Sequence, residues 1–347
     1  MTKSKNVIVV DAMGGDFAPT SEVEGGLLAL KESLKQAVPL FIIYVGVQEK
    51  IEEIINNSVI ENKEELLKYI EIINASEVIT MHDDPVVALK TKKDSSMVKG
   101  LQLHKEGKAD AYVSAGNTGA TLSIATIMLG RIEGVTRPTI GVFLPTSKNS
   151  PTFLIDVGAT VECKARFIYE YAVMGNIFFS IITKTKNPTV GLLNVGEEST
   201  KGTTEHIEAY NKLKASNLNF YGNVEGGDIL THKTDVVVAD GYVGNVILKF
   251  AESIAILLSE SLKNYSINNP DKAKQIEDTA NIIKEVLIGL NPENAGGVPL
   301  LGVKGNVIIG HGHSTPIAIK NMITAACTLI NEDLCNKIEK ELNNRGC

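Results

Sequence analysis

Short apolar runs alternate with longer amphipathic segments along most of the chain. The runs have the length of strands, and the segments between them repeat apolar residues at the helical spacing of three and four. This alternation predicts an α/β fold: a doubly wound, mostly parallel sheet with helices on both faces. The predicted strands are VIVVDA, LFIIYVG, IEII, AYVSA, TIGVFLP, TFLIDVGA, TVGLLNVG, LNFYGNV, DVVVADG and NVIIG, and the predicted helices cover residues 20–36, 47–57, 85–107, 117–130, 164–182 and 203–215.

Two longer helical patterns follow, at residues 243–264 and 271–290, each with apolar residues on one face. The segment NYSINNPD between them contains Asn, Ser and Pro, which disfavour a continuous helix, so the pair predicts a peripheral helical hairpin at about 243–290. Further apolar residues lie off these faces and favour a subunit interface or a membrane-touching tip, with packing on the chain's own core as the alternative. The residues on the faces are Val246, Phe250, Ile254, Leu257, Leu258, Leu262, Ile276, Ala280, Ile283, Leu287 and Leu290, and those off them are Ile256, Ile282 and Ile288.

Composition indicates an ordinary globular protein. The 347 residues are 44% hydrophobic and show no linker or repeat, so we expect a single α/β catalytic domain over residues 1–347. The net charge of −7 gives no sign of a nucleic-acid partner. Cysteine spacing shows no disulfide framework, the first apolar segment is too short for a signal peptide, and no run approaches the roughly 20 apolar residues of a membrane span. We therefore expect a cytoplasmic protein.

Glycine with Asp or Asn follows nearly every predicted strand. In a doubly wound sheet ligands bind beyond the carboxyl ends of the strands, so six such turns predict one shared polar crevice, although each alone also suits an ordinary turn. Glycine lets a substrate approach the backbone, and neutral Asn, Ser and Thr donors suit an oxyanion or a phosphate. The residues are Asp11, Gly14, Gly15, Asp16, Ser114, Gly116, Asn117, Thr118, Gly119, Asp156, Gly158, Asn194, Gly196, Asn223, Asp240, Gly241, Gly244 and Asn245.

Positive charge for such a crevice is available at two turns. Lys201 and Gly202 lie between a predicted strand and a helix that Thr203 or Thr204 caps, so the ammonium can point towards a bound anion. A solvated loop lysine is the alternative. Arg137, before Pro138 and a strand, can clamp a phosphate with two hydrogen bonds or pair on the surface.

A basic run, KTKKDSSMVKG, contains Lys92, Lys93 and Lys99. It predicts a basic helix start that can meet an acidic partner, with a solvated helix face as the alternative.

The segment GHGHST opens the helix after NVIIG, with Ser314 or Thr315 as its cap. His311 lies nearest the strand end and is the better candidate for catalysis or anion contact; a turn histidine satisfied by backbone is the alternative. His311 and His313 have no acidic or cysteine partner at ligand spacing, so no metal site is predicted.

Several catalytic and nucleotide-binding signatures are absent. There is no GxGxxG after the first strand and no GxxxxGK[ST], which weakens NAD and ATP as ligands, and neither GxSxG nor HExxH occurs. We therefore expect no cofactor and no protein nucleophile.

The order of these motifs resembles the PlsX-type phosphate acyltransferases, which make acyl-phosphate from acyl-acyl carrier protein and orthophosphate. The matching segments run from Val10 to Gly312. They are VDAMGGDFAP, DSSMV, SAGNTGA, the RP pair, LPT, DVGA, YAVMG, VGLLNVGEE with KG, FYGNVEGGDI, DVVVADGYVGNVILK, and GG with LLGVKG and HG.

The resemblance implies a homodimer with a fold like that of phosphate acetyltransferases and isocitrate-type dehydrogenases. It further implies acyl-acyl carrier protein and orthophosphate as substrates, a peripheral contact with membrane lipid, and a place in the first steps of phospholipid synthesis. Within the family pattern, Lys201 and Asn245 carry over as catalytic positions, followed by SAGNTG and His311.

These assignments give a mechanism. Orthophosphate is itself the nucleophile, so the protein positions it and stabilises charge. Lys201, with Asn117, Thr118 and Gly119, holds the phosphate, Asn245 receives the developing oxyanion, and His311 donates a proton to the leaving thiolate.

Other functions stay open. A short-chain phosphate acyltransferase acting on coenzyme A thioesters has the same fold, as does a metal-dependent dehydrogenase of hydroxy acids. A non-catalytic scaffold, recruited to membrane by the hairpin, is the third possibility.

Overall fold

Strands and helices alternate as the apolar pattern predicts in the computed structural model, which describes residues 5–35, 38–80, 82–148, 150–286 and 297–344. The strands are β1 (Asn6–Asp11), β2 (Leu40–Gly46), β3 (Ile70–Asn74), β4 (Ala111–Ser114), β5 (Thr139–Leu144), β6 (Thr152–Ile155), β7 (Thr189–Leu193), β8 (Asn219–Val224), β9 (Val236–Val238), β10 (Val298–Leu301) and β11 (Asn306–Ile309). The helices are α1 (Thr20–Ser33), α2 (Gln48–Asn57), α3 (Lys63–Leu66), α4 (Pro85–Thr91), α5 (Ser96–Lys105), α6 (Thr118–Leu129), α7 (Ala165–Thr183), α8 (Thr204–Lys214), α9 (Gly226–Ile229), α10 (Gly241–Asn268), α11 (Ala273–Val286), α12 (Pro316–Asn331) and α13 (Leu334–Asn344).

The chain divides into two compact units. The first comprises Met1–Ile140, Ser180–Thr185 and Pro292–Cys347. Its strands lie in the order β3-β2-β1-β4-β11-β10, parallel except for β10, which runs antiparallel to β11. Its central strands are almost entirely apolar and buried, as expected where helices cover both faces of a parallel sheet.

The second unit comprises Gly141–Phe179 and Lys186–Asn291. Its strands lie in the order β5-β6-β9-β7-β8, and all are parallel except β5, which runs antiparallel to β6. Four phenylalanines of β5, β6 and α7 pack together, with ring centroids 4.8 Å apart between Phe153 and Phe178. The predicted α/β fold with a mostly parallel sheet is confirmed, whereas the prediction of one catalytic domain over residues 1–347 stays a prediction.

Some predicted boundaries were wrong. The single helix expected over residues 85–107 is two helices, because α4 ends at Thr91 and the Ser95 hydroxyl caps α5 at the Val98 amide. The helix after GHGHST is followed by a further one, α13, and the short helices α3 and α9 and the strand β10 were not predicted.

The predicted hairpin is present as α10 and α11, which contact each other after a turn that includes a 3₁₀ segment, Pro270–Lys272. Leu287, Ile288 and Leu290 lie outside the described residues. The apolar side chains of α10 are largely exposed in this chain, with Phe250 66% accessible. The other exposed ones are Tyr242, Val243, Val246, Ile254, Ile256, Leu257, Leu258, Tyr265 and Ile267, together with Ile282 of α11.

Helix α10 passes a looser test than a run of about 20 apolar residues. With 28 residues, and a mean hydropathy of 1.4 over an 18-residue window, it is long and apolar enough to cross a membrane by length and composition. It contains no continuous run of that length, because Asn245, Lys249 and Glu252 interrupt its apolar residues. Length and composition alone do not indicate a span, since many helices of water-soluble proteins have the same properties.

Candidate active site

In the first unit, Asp11 organises the turn that follows β1. Its side chain is buried, and one carboxylate oxygen accepts hydrogen bonds from the Ser114 hydroxyl at 2.8 Å and the Tyr112 hydroxyl at 3.1 Å. The other oxygen accepts the Met13 amide at 3.2 Å. Burial raises the pKa of Asp11, although these hydrogen bonds partly oppose the shift. Asp11 therefore links the turn after β1 to the turn after β4, and both of these turns were predicted.

Close backbone approach explains the two glycines after Asp11. A Cβ on Gly14 would lie 2.8 Å from both the Gly116 nitrogen and the Ser114 hydroxyl, and a Cβ on Gly15 would lie only 2.3 Å from a carboxyl oxygen of Glu22. A larger residue therefore does not fit at Gly14, where the contact is with backbone, and at Gly15 it would displace the Glu22 carboxyl group. Gly14, Gly15 and Gly116 were predicted together, and the structure brings them together.

Glu22, in the first turn of α1, was missed. It is 1% accessible, and neither of its carboxyl oxygens reaches hydrogen-bond geometry with a described group. Burial raises its pKa to about 8, the nearby charges of Asp11 and Asp16 raise it further, and the amides of Gly15 and of Glu22 itself oppose the shift. Glu22 is therefore largely protonated at neutral pH. A lone glutamate in a helical pattern gives no sequence signal for this.

The SAGNTG segment forms the start of α6. The Asn117 side chain is the helix cap: its oxygen accepts the Ala120 amide at 3.0 Å, and its nitrogen donates to the Thr80 carbonyl at 3.4 Å. Thr118 and Gly119 follow in the exposed first turn of a 12-residue helix. The first-turn amides and the helix dipole suit an anion there.

The GHGHST segment meets the turn after β1 within the first unit. The Asp16 amide donates to the Gly312 carbonyl at 2.7 Å, and the Asp16 carboxylate lies 2.8 Å from His313 Nδ1. His311 is exposed, and its Nδ1 accepts the His313 amide at 3.3 Å. The neutral His311 ring then carries its proton on Nε2, the form that donates from that atom. Thr315, not Ser314, caps α12.

In the second unit, the turns after β6 and β9 fit tightly against each other. Asp156 has a left-handed backbone (φ +59°), and its Oδ1 accepts the amides of Gly158 and Ala159. The start of α10 packs directly on this turn: a Cβ on Gly244 would lie 1.9 Å from the Asp156 carbonyl oxygen, and Asn245 side-chain atoms lie 3.3 Å from a Cβ built on Gly158.

The same packing fixes Gly241. A Cβ there would lie 2.5 Å from the Thr160 carbonyl oxygen and 2.7 Å from Asp156 Oδ1, and the Gly241 amide donates to that carbonyl at 3.1 Å. The predicted neighbours Asp156, Gly158, Gly241, Gly244 and Asn245 are thus brought together, with the Asn245 side chain exposed at the helix start.

The loop that carries Lys201 is held by Asn194. The side-chain nitrogen of Asn194, Nδ2, donates to the Lys201 carbonyl at 3.0 Å. Gly202 has a φ of +90°, and a Cβ there would lie 2.7 Å from the Asn194 side-chain oxygen, so only glycine suits the position. The Lys201 side chain lies over Gly196, 3.2 Å from a Cβ built there, and no described carboxylate is within ion-pair distance of its ammonium.

Asn223, the predicted residue after β8, contacts this loop. It is buried and donates from Nδ2 to the Glu198 carbonyl at 2.8 Å. Asn223 thus supports the loop that ends at Lys201.

His206 connects the Lys201 loop to α10. It was not predicted as a candidate site residue. Thr203 caps α8 through the His206 amide, and its hydroxyl lies 2.8 Å from His206 Nδ1. The other ring nitrogen, Nε2, lies 3.6 Å from the carboxylate of Asp240, which caps α10 at the Val243 amide. Burial raises the pKa of Asp240, but the hydrogen bond from His206 and the amides of α10 outweigh it and hold the pKa below its usual range.

The remaining basic candidates are dispersed. Arg137 is exposed before β5 in the first unit. Lys92 and Lys99 are engaged in ion pairs, with Asp83 and Asp94 respectively, whereas Lys93 is exposed. Among the described residues, no group of three or more His, Cys, Asp or Glu side chains is arranged to hold a metal ion.

The structure therefore collects the predicted residues into two clusters, one in each unit. The prediction that all six turns line one crevice stays a prediction. The first cluster contains Asp11, Gly14, Gly15, Asp16, Ser114, Gly116, Asn117, Thr118, Gly119 and His311, and the second contains Asp156, Gly158, Asn194, Gly196, Lys201, Gly202, Asn223, Asp240, Gly241, Gly244 and Asn245.

Comparison with known proteins gives a consistent result over nearly the whole chain. A family model described as "Fatty acid synthesis protein" matches residues 6–337. A phosphate acyltransferase of Salinibacter ruber is 41% identical over 337 residues, which is 96% of each chain. One of Dictyoglomus turgidum is 42% identical over 341 residues, which is 97% of each chain.

A solved structure extends the likeness in fold. A phosphotransacetylase from Streptococcus pyogenes superposes with a TM-score of 0.57 at 16% identity, covering 94% of both chains. At that identity the likeness concerns the fold alone, and it agrees with the predicted similarity to phosphate acetyltransferases.

Proposed function

This chain belongs to the fatty acid synthesis family that contains the phosphate acyltransferases, and from that premise we propose a specific reaction for it. It transfers a long-chain fatty acyl group from acyl-acyl carrier protein to orthophosphate, and the acyl-phosphate product serves phosphatidic acid synthesis. The chain is an acyltransferase by its family. The carrier-bound donor, the long chain and the use of the product are the proposed part.

The observation that carries the proposal is the cation at Lys201. Its ammonium is exposed and has no described carboxylate partner, while Asn194 and Gly202 hold its loop in one conformation. A positioned ammonium without an internal counter-ion favours an anion such as orthophosphate. Lys201 therefore binds the phosphate that attacks.

The reaction needs positioning and charge stabilisation rather than a protein nucleophile. A phosphate oxygen bonds to the thioester carbonyl carbon, and collapse of the tetrahedral intermediate breaks the carbon–sulfur bond. The thiolate leaves and takes a proton, so the products are acyl-phosphate and the free thiol. Asn245, exposed at the start of α10, donates to the oxyanion of that intermediate.

The first-unit assignments stay predictions. They give Asn117, Thr118 and Gly119 a role in phosphate binding and His311 a role as proton donor to sulfur. The geometry within this unit is favourable to both: the first turn of α6 is exposed, and the neutral ring of His311 carries its proton on Nε2.

The exposed apolar side of α10 supports two further proposals, that the chain forms a homodimer and that it touches lipid peripherally. Side chains such as Val246, Phe250 and Leu257 are more than half accessible in the single chain. A continuous apolar face of this kind is covered by a partner or by a membrane surface in most proteins. Light scattering of the purified protein tests the dimer, and flotation with phospholipid vesicles tests the membrane contact.

The reaction is tested by incubating purified protein with long-chain acyl-acyl carrier protein, with and without phosphate. Hydroxylamine traps acyl-phosphate as the hydroxamate, and free carrier thiol is measured in parallel. We expect both products to rise together only when phosphate is present. Turnover of coenzyme A thioesters, with no reaction of the carrier substrate, would instead assign the short-chain activity, and binding without turnover would favour a scaffold.

A further inference from the structure

The basic run around residues 90–99 separates into two kinds of lysine. Lys92 donates to the Asp83 carboxylate at 2.7 Å and to the Val78 carbonyl at 2.9 Å. Lys99 pairs with Asp94 and donates to the Asn74 carbonyl at 2.7 Å. Both therefore hold loops of the fold and are not available to a partner.

Lys90 and Lys93 differ from these two. Both are exposed, and within the described part of the chain neither has a carboxylate at ion-pair distance. The acidic residues nearby do not neutralise them: Asp83 is paired with Lys92, and Asp84 caps α4 by accepting the amides at residues 86 and 87. Two free cations therefore remain on this surface of a chain whose net charge is −7.

Two apolar side chains accompany the free lysines. Val86 and Val87, in the first turn of α4, are 48% and 56% accessible. Lys90 follows them at spacings of four and three, which places it beside them on the helix surface, and Lys93 comes just after the helix end. β-Branched residues are not favoured in an exposed helix, so local stability does not explain the two valines. We call these four residues the α4 surface.

The α4 surface lies beside the SAGNTG turn of the same unit. Helix α4 packs on α6, whose first turn follows that segment. The cap residue Asn117 also donates to the Thr80 carbonyl, five residues before α4 begins. A protein that docks on the α4 surface is therefore adjacent to the predicted phosphate-binding turn.

We propose that the α4 surface docks the acidic carrier protein that delivers the acyl thioester. This inference rests on the proposed function. A carrier of fatty acyl groups is a small helical protein with an acidic face, so Lys90 and Lys93 supply charge complementarity. The two valines supply an apolar contact from which water is excluded, next to these charges. A lipid surface is less suitable, because the valines are few and α4 has only seven residues.

The test compares two charge reversals of equal size. The docking variant is Lys90→Glu with Lys93→Glu. The control is Lys304→Glu with Lys340→Glu, at two exposed lysines of the same unit. Lys304 follows β10, and its backbone amide donates to the Gly130 carbonyl, just beyond the end of α6 that lies far from the SAGNTG turn. Initial rates are measured with acyl-acyl carrier protein at several salt concentrations.

We expect the docking variant to raise the KM for acyl-acyl carrier protein about tenfold or more relative to the control, while kcat at saturation and the KM for phosphate change less than twofold. Its KM should also depend less on salt than that of the wild type, since a purely structural defect would not change the salt dependence. Val86→Ser with Val87→Ser should raise the same KM and leave its salt dependence unchanged. Thermal denaturation confirms that each variant is folded.

The outcomes separate this inference from the proposed function. If the wild type does not turn over acyl-acyl carrier protein, the proposed function is wrong. If the wild type is active and the docking and control variants have the same KM and salt dependence, the carrier docks elsewhere and only the inference is overturned.

Discussion

Replacing Gly244 by alanine tests whether the close contact between α10 and the Asp156 turn matters. The new Cβ would lie 1.9 Å from the Asp156 carbonyl oxygen, where an ordinary contact needs at least 3.4 Å, so the two backbones must separate by about 1.5 Å. The oxygen belongs to the backbone of a turn held by its own hydrogen bonds, so it cannot swing aside as a flexible side chain would. We expect the free energy of unfolding to fall by about 1–3 kcal/mol, the usual cost of overpacking.

The same displacement moves Asn245, the next residue. A misplacement of about 1 Å in a catalytic group can cost on the order of 100-fold in rate. Turnover of the Gly244→Ala variant should therefore fall by roughly that factor even under conditions where the protein is fully folded. The loss should appear in kcat, because Asn245 is proposed to act on the oxyanion of the intermediate.

The measurements are the urea midpoint and the rate of hydroxamate formation. Gly227→Ala is the control, since a Cβ at that helical position meets no atom within 4 Å, and its midpoint should stay the same or rise slightly. A Gly244→Ala protein with wild-type midpoint and turnover would refute the reasoning. Lost stability with unchanged kcat would refute the role of Asn245 alone.

Substitutions at three further residues, Lys201, His206 and Glu22, test other contacts. Lys201→Ala should lower turnover by about 10²–10³ with an unchanged urea midpoint, whereas Lys214→Ala, at an exposed lysine of the same unit, should leave the rate unchanged. His206→Gln can still donate to Asp240 from the position of Nε2 and should retain more activity than His206→Asn, which loses that contact; equal rates would exclude the contact from positioning the Lys201 loop. For Glu22, the pKa is about 8 in the folded protein against an ordinary 4.5, so between these values the folded state holds a proton that the unfolded chain has released. The free energy of unfolding should therefore fall as pH rises from about 4.5 to about 8, and urea titrations of Glu22→Gln across that range should show a smaller fall.

The strands could be predicted because buried strands of a parallel sheet are continuous apolar runs in the sequence. Strand β2 begins and ends at the predicted residues, since LFIIYVG is a continuous apolar run buried between helices. The break between α4 and α5 could not be predicted in the same way. Lys92 follows the last residue of α4, and its ammonium donates to Asp83 and to the Val78 carbonyl. The spacing of apolar residues along the sequence gives no sign of these contacts.

The turns of the candidate site could be predicted in position, but the contacts of their carboxylates could not. Gly and Asp after a strand mark a turn, so turns at Asp11, Asp156 and Asp240 were expected. The pattern cannot distinguish a carboxylate that faces a ligand from one that builds the turn. Asp156 accepts the amides of its own turn, and Asp240 caps α10 and pairs with His206, a contact that depends on the fold.

This division of roles bears on the phosphate site proposed for the second unit of an acidic chain. A carboxylate attracts a neighbouring lysine and repels phosphate, so acids near the site must be engaged elsewhere. Glu205 accepts the Ala165 amide, and Asp240 is paired with His206. The ammonium of Lys201 has no described carboxylate at ion-pair distance, and Glu198, in the same loop, forms no ion pair with it. In the proposed reaction this positive charge is available to phosphate, although the chain as a whole carries a net charge of −7.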